Sequence, residues 1–168
     1  MSQTRTASAT YTTTDVENVV RRIRTDLVMI AESTGAWTPQ LNRALGCNVP
    51  IQPGKGYSLT MPRPALCPAY PLIFEEHRVA VTPFASGYRL GSTMEFGGYD
   101  DTLNRSRLSL LTDAAKLYLR DPLSEPVQEE WWGWRPMTYD SVPVIDRAPV
   151  ASNVLVAAGH NMLGLSMA

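Results

Sequence analysis

The sequence predicts a mixed α+β and α/β chain, in which an antiparallel sheet carrying one long helix is set between two buried strands near the ends. Three observations predict it. Val49 to Gly98 divides into short alternating segments cut by Pro and Gly, the pattern of antiparallel strands joined by turns. Thr102 to Arg120 repeats apolar residues at helical spacing. Asp26–Ala31 and Asn153–Ala158 each hold a short continuous apolar run of the kind buried on both faces of a parallel sheet.

Composition narrows the classes. The 168 residues are 44% hydrophobic and 18% charged, which is globular and neither disordered nor membrane-embedded. A formal net charge of -1 gives no reason to propose nucleic acid or an anionic membrane surface as a partner. No run of about 18 apolar residues occurs, so no transmembrane segment is expected. The Ser/Thr-rich start lacks the apolar core of a secretory signal, and Cys47 and Cys67 form no disulfide framework. A cytoplasmic location is expected, with peripheral association at the inner membrane left open.

In chain order, residues 1–14 read as a tail and Asp15–Arg24 as a helix with Val16, Val19, Val20 and Ile23 on one side. The first buried strand ends in Glu32-Ser-Thr-Gly35-Ala-Trp37, and Thr38-Pro39 opens a short helix to Leu45 that stops at Gly46. The antiparallel strands fall at Gly56–Met61, Leu72–Glu75, Arg78–Pro83 and Tyr88–Phe96, with Pro53-Gly-Lys-Gly56 as a β-turn before them. The long helix places Leu103, Leu110, Leu111, Ala114, Leu117 and Tyr118 on an apolar stripe, and Asp121-Pro122 ends it. Val127–Trp134 reads as a strand, Val142–Ile145 as a short extended piece, and the last strand runs into Gly159-His160. The two end strands could be neighbours in one sheet, with ligands where the turns at Gly35 and Gly159 meet.

Two places carry candidate chemistry. A buried strand that stops at Gly159 and enters a compact turn through Gly164 aims several backbone N–H groups at one point, a nest suited to an anionic or electron-rich edge. The same residues also fit an ordinary strand-to-loop turn. Alternation along Glu129–Arg135 puts Trp131, Gly133 and Arg135 on one face and Trp132 and Trp134 on the other. Arg135, beside a residue without a side chain, then has room to grip a carboxylate with its planar fork, unless Pro136 bends the strand or the arginine is a plain surface charge. His77, His160 and the two cysteines match no metal spacing. Glu75-Glu76, Asp100-Asp101 and Glu129-Glu130 read as solvated faces, and no serine-nucleophile elbow or G-x-G-x-x-G turn occurs.

Trp134-Arg-Pro-Met-Thr138, Val142-Pro-Val-Ile145, Asn153-Val-Leu-Val156 and Gly159-His-Asn-Met-Leu-Gly164 together resemble the C-terminal signature of the D-amino-acid dehydrogenase and glycine oxidase family, FAD-dependent amine oxidoreductases. Pro53-Gly-Lys-Gly-Tyr-Ser58 and Arg89–Phe96 resemble the start and central strand of its substrate lobe, and Asp26–Ala31 with Gly35-Ala-Trp37 a late strand and turn of its FAD domain. The resemblance implies that Arg135 binds the substrate carboxylate. It implies that Gly35, Trp37, Gly159, His160, Asn161, Met162, Leu163 and Gly164 face the flavin, with Leu165 continuing that loop. The implied reaction is oxidation of a small amino acid by hydride transfer to FAD, which asks for positioning more than for a strong base.

The expected organisation follows: residues 1–14 a tail, 15–48 a remnant of the FAD-binding Rossmann-like domain, 49–134 the antiparallel substrate lobe, and 135–168 a return to the FAD domain. The missing dinucleotide-binding unit and closing helix mark the chain as a truncated fragment, whose activity would need a second polypeptide for the FAD-binding half, or a homo-oligomer. The alternative is a non-catalytic binding or assembly module, an inactive remnant that retains the sheet.

Overall fold

The computed structural model describes residues 28–30 and 32–164, with side chains from Thr34 onward. The expected tail, the helix at Asp15–Arg24 and the flavin-facing assignment of Leu165 lie outside those residues. The chain forms two compact units, one of the described residues up to Ile51 together with those from Thr138 on, the other of Gln52–Met137. Arg135 is among the residues of the second unit.

In the second unit, five strands make an antiparallel sheet: β2 (Ile51–Met61), β3 (Leu72–Phe74), β4 (Val79–Pro83), β5 (Tyr88–Glu95) and β6 (Glu129–Thr138), in the order β3-β4-β5-β2-β6. Helix α2 (Arg105–Tyr118) packs against β4 and β5. Alternation gives one face of the sheet to the helix. Tyr57, Leu59 and Met61 of β2, Val79 and Val81 of β4, and Tyr88 and Leu90 of β5 join Leu108, Leu111, Ala114 and Ala115 of the helix in one core. Each large apolar side chain so buried contributes about 1.5–3 kcal/mol.

Several expectations need correction. Pro53-Gly-Lys-Gly56 is not a turn, because β2 runs straight through it. A Cβ on Gly54 would meet Met137 at 2.6 Å and one on Gly56 would meet Arg135 at 2.6 Å, so these glycines make room for side chains crossing from β6. Strand β6 starts and ends later than Val127–Trp134 and continues through Pro136, which an edge strand tolerates because its outer N–H needs no partner. In α2, Leu110, Leu117 and Tyr118 are exposed, and the buried stripe runs through Leu108, Leu111, Ala114 and Ala115. Asn104 caps the helix, its side chain accepting from Ser106 N at 3.1 Å.

The first unit is a three-stranded sheet in the order β1-β8-β7, made of β1 (Val28–Ile30), β7 (Val144–Arg147) and β8 (Val154–Ala158). β1 and β8 are parallel neighbours, with Val28 opposite Val154 and Ile30 opposite Val156, as the two apolar runs led one to expect. Between β1 and β2 stand a 3-10 segment, Glu32–Leu41, broken at Gly35, and the short helix α1 (Asn42–Leu45), ended by Gly46 in the left-handed region. Leu41, Leu45, Val49, Ile51, Ala148, Val154, Val156 and Ala158 form this unit's core. Cys47 and Cys67 are free thiols, and no helix among the described residues is long and apolar enough to cross a membrane.

Candidate active site

The face of the five-stranded sheet opposite α2 holds a cavity of about 340 Å³. Its floor is a row of small residues across three strands, with Ala80 opposite Gly91 and Gly91 opposite Ser58. The next row on the same face is polar. There Arg89 pairs in register with Thr82 and Thr60, and its guanidinium donates to Thr60 Oγ1 at 2.9 Å and to Glu129 at 3.0 Å. Glu129 is thus half of an exposed ion pair, which counts for little in stability but closes that end of the cavity.

Arg135 lines the other end. The strand parity read from the sequence holds up to this residue: Trp131 and Arg135 face the cavity, while Trp132 packs on the helix-side core and stacks edge-on with Trp134 at 5.1 Å. The space for the guanidinium comes from a different glycine than the alternation suggested. Gly133 lies under the Trp131 indole, and it is Gly56 of β2 over which Arg135 lies, with Nη1, Cζ and Nη2 at 2.6, 2.7 and 3.0 Å from where a Cβ would stand. Burial pushes the Arg135 guanidinium below its ordinary value. Its Nη1 is shielded from solvent and has no hydrogen-bond partner among the described residues. A half-buried cation with a shielded, unpaired nitrogen can seat an anion, since a buried donor without a partner is costly.

Behind the cavity wall is a network that sequence reading missed. Lys55, 1% exposed, donates to the Asp100 carboxylate at 3.1 Å, to Asp100 O at 2.8 Å and to Thr102 O at 2.7 Å. Burial disfavours its charge, but the neighbouring Asp100 and Tyr57 outweigh that and raise its pKa. Tyr57, which lines the cavity, donates a hydrogen bond to Glu95, whose other oxygen accepts from Asn104 at 3.0 Å. Glu95 is held below the usual carboxylate range, first by the Tyr57 hydrogen bond. The network ties the cavity wall to the cap of α2. A lysine between two glycines was the available signal, since in a strand it had to be either fully solvated or fully partnered.

In the first unit, Gly35 and Gly159 follow the C-terminal ends of the parallel strands β1 and β8. Gly159 has φ 79, and a Cβ there would meet Thr138 at 2.6 Å. Asn161, itself at φ 56, fixes the turn: it accepts from Thr138 N at 3.0 Å and donates to Gly159 O at 2.8 Å and Thr138 Oγ1 at 3.2 Å. Leu163 N donates to His160 O at 2.9 Å, and Gly164 ends the described turn. Met162, Leu163 and Trp37 present exposed apolar surface, and a Cβ on Gly35 would meet nothing. Among the described residues no group of His, Cys, Asp and Glu could hold a metal ion.

Sheet, helix and polar cavity make up one compact unit, and the other unit carries the parallel strands. The chain belongs to the family of FAD dependent oxidoreductases (DAO), whose family model matches residues 3–168. A D-amino acid dehydrogenase of Granulibacter bethesdensis is 32% identical over 157 residues, covering 91% of this chain and 37% of that protein. Another, from Paramagnetospirillum magneticum, is 35% identical over 147 residues, covering 86% of this chain and 34% of its own length. The chain thus spans about a third of the length of these curated relatives. Among solved structures, glycine oxidase from Geobacillus kaustophilus superposes with a TM-score of 0.73 at 24% identity, over 83% of this chain and 37% of that one. Iminodiacetate oxidase from Chelativorans does so with a TM-score of 0.70 at 23% identity, over 86% and 39%. These two likenesses concern the fold.

Proposed function

We propose that this chain carries the substrate lobe and the ring-facing turn of an FAD-dependent oxidoreductase that acts on a small amino acid. The observation that carries the reading is Arg135, a half-buried arginine that lines a cavity and whose Nη1 is shielded from solvent and unpartnered among the described residues. It binds the substrate carboxylate through its fork, and Gly56 beneath it leaves that fork undisplaced. The cavity walls orient the α-carbon, so that positioning supplies the catalysis this chain offers. D-amino acid dehydrogenase is the name of both relatives, which favours a D-amino acid as substrate.

Gly35, Trp37, Gly159, His160, Asn161, Met162, Leu163 and Gly164 fit the ring end of FAD. The supporting features are a turn fixed by Asn161 and exposed apolar side chains beside it, suited to a flat ring. When bound, FAD supplies the acceptor for the hydride removed from the substrate's α-carbon.

A second reading, a non-catalytic module that binds a small carboxylate, is favoured by a cavity whose lining residues all belong to one compact unit. Titrating the purified full chain with FAD and with D-alanine separates the two. Flavin absorbance that stays with the protein, together with D-alanine binding lost in Arg135→Ala, supports the first. Protein that neither retains FAD nor quenches its fluorescence leaves the second, and unchanged affinity in Arg135→Ala removes that residue from the site.

A further inference from the structure

Strand β5 departs from alternation beside Arg135. Leu90 and Thr93 turn to the helix side, Leu90 into the core and Thr93 with its hydroxyl donating to Arg107 O of α2 at 3.5 Å. Gly91 and Ser92, two successive residues, both line the cavity. The cause is a bulge: Ser58 pairs with Gly91 and Gly56 with Met94, so Ser92 and Thr93 stand opposite Tyr57 alone. Ser92 takes φ 106, a backbone open to glycine and unfavourable for any residue with a Cβ.

A serine held where glycine would be unstrained suggests a use for its side chain. Its hydroxyl makes no hydrogen bond with any described residue, and neither does that of Ser58, which is 6% exposed on the same cavity face. Ser92 stands two residues from Met94, the partner of the same Gly56 that underlies the Arg135 guanidinium.

Resting on the reading of Arg135 as the carboxylate anchor, we infer that Ser92 and Ser58 complete that anchor as hydroxyl donors to the carboxylate oxygens. Arginine supplies the charge. The serines supply direction, and the bulge exists to bring Ser92 to the cavity side.

The experiment titrates the full chain with D-alanine and, separately, with acetate, which keeps only the carboxylate, and records melting temperatures. Ser92→Ala and Ser92→Gly are each expected to weaken both ligands about 10-fold, as loss of one hydrogen bond to a charged group does. Ser58→Ala is expected to do the same. Only Ser92→Gly relieves the backbone, so it alone should raise the melting temperature, by roughly 2–4 °C. A merely structural serine would not combine higher stability with weaker binding. If the serine variants bind both probes like the wild type while Arg135→Ala loses them, the serines are not part of the anchor and Arg135 still is. Weakening of D-alanine without weakening of acetate places Ser92 elsewhere on the ligand and overturns the assignment. Wild-type affinity in Arg135→Ala, or a wild type that takes up neither probe, overturns the anchor itself.

Discussion

Gly56→Ala perturbs the candidate site with a single methyl group. The added Cβ would stand 2.6 Å from Arg135 Nη1 and 2.7 Å from Cζ. To reach ordinary contact the guanidinium must retreat by roughly 0.8 Å, because the Cβ is fixed to a strand while the arginine is flexible at its far end. The stability cost should therefore be small, under about 1 kcal/mol, since the moving group has no hydrogen bond at Nη1 to lose. Binding should suffer far more. A misplacement of about 1 Å in a positioning group costs about 100-fold, so D-alanine affinity should fall by roughly 10- to 100-fold. Trp131 lines the same cavity, and its fluorescence provides the titration signal, with thermal melting run in parallel. Wild-type affinity in a folded Gly56→Ala protein would show that the fork need not lie where it does, and the reasoning from its seat would fail.

Two further outcomes follow from groups away from the anchor. Glu95 is held below its ordinary value of 4.5 by hydrogen bonds from Tyr57 and Asn104, so the unfolded chain takes up its proton more readily. Its contribution to stability is then complete above that ordinary value and is lost as pH falls through the folded one. Urea denaturation between about pH 6 and pH 3 should show a shallower acid decline in Glu95→Gln than in the wild type, with Asp100, also lowered, supplying part of what remains. Parallel declines would mean that Glu95 is not so held. Tyr88 is fully buried, its hydroxyl has no partner among the described residues, and burial first of all pushes its pKa up to about 12. Tyr88→Phe removes an unsatisfied polar atom and should leave stability unchanged or raise it by about 1 kcal/mol, and a loss of that size in the same denaturation assay would reveal a partner for the hydroxyl.

The elements legible in the sequence were those whose periodicity reflects one partner. β4 alternates, as does β5 up to its bulge, because one face meets α2 and the other a cavity, and the apolar runs of β1 and β8 are paired as parallel neighbours. The site's parity was legible for the same reason, which put Arg135 and Trp131 on a common face. Its depth was not. Pro53-Gly-Lys-Gly56 has turn composition, and only the side chains arriving from β6 and the acceptors offered by Asp100 and Thr102 make it a strand. Those contacts join residues some 45 to 80 positions apart, beyond the reach of local pattern. The helix stripe was misplaced because Leu110 and Leu117 are apolar but face outward, and hydrophobicity alone does not choose a face when leucines lie on several. The Ser92 bulge leaves no trace in residue type, since serine is what an ordinary strand surface would carry.

The row Ala80, Gly91 and Ser58 has a consequence for how the ligand range of this lobe can change. Three adjacent strands each contribute a residue of almost no bulk to the cavity floor, so the volume above it is set by what those positions lack. The sheet's hydrogen bonds do not depend on these side chains, and the helix-side core lies on the other face. Lengthening Ala80 or Gly91 would raise the floor one strand at a time, trimming the accepted ligand from below while the fold, Ser58 and the arginine above Gly56 remain as they are. Under the proposed function, discrimination by size at Ala80 and Gly91 is thus separate from the hold by charge at Arg135.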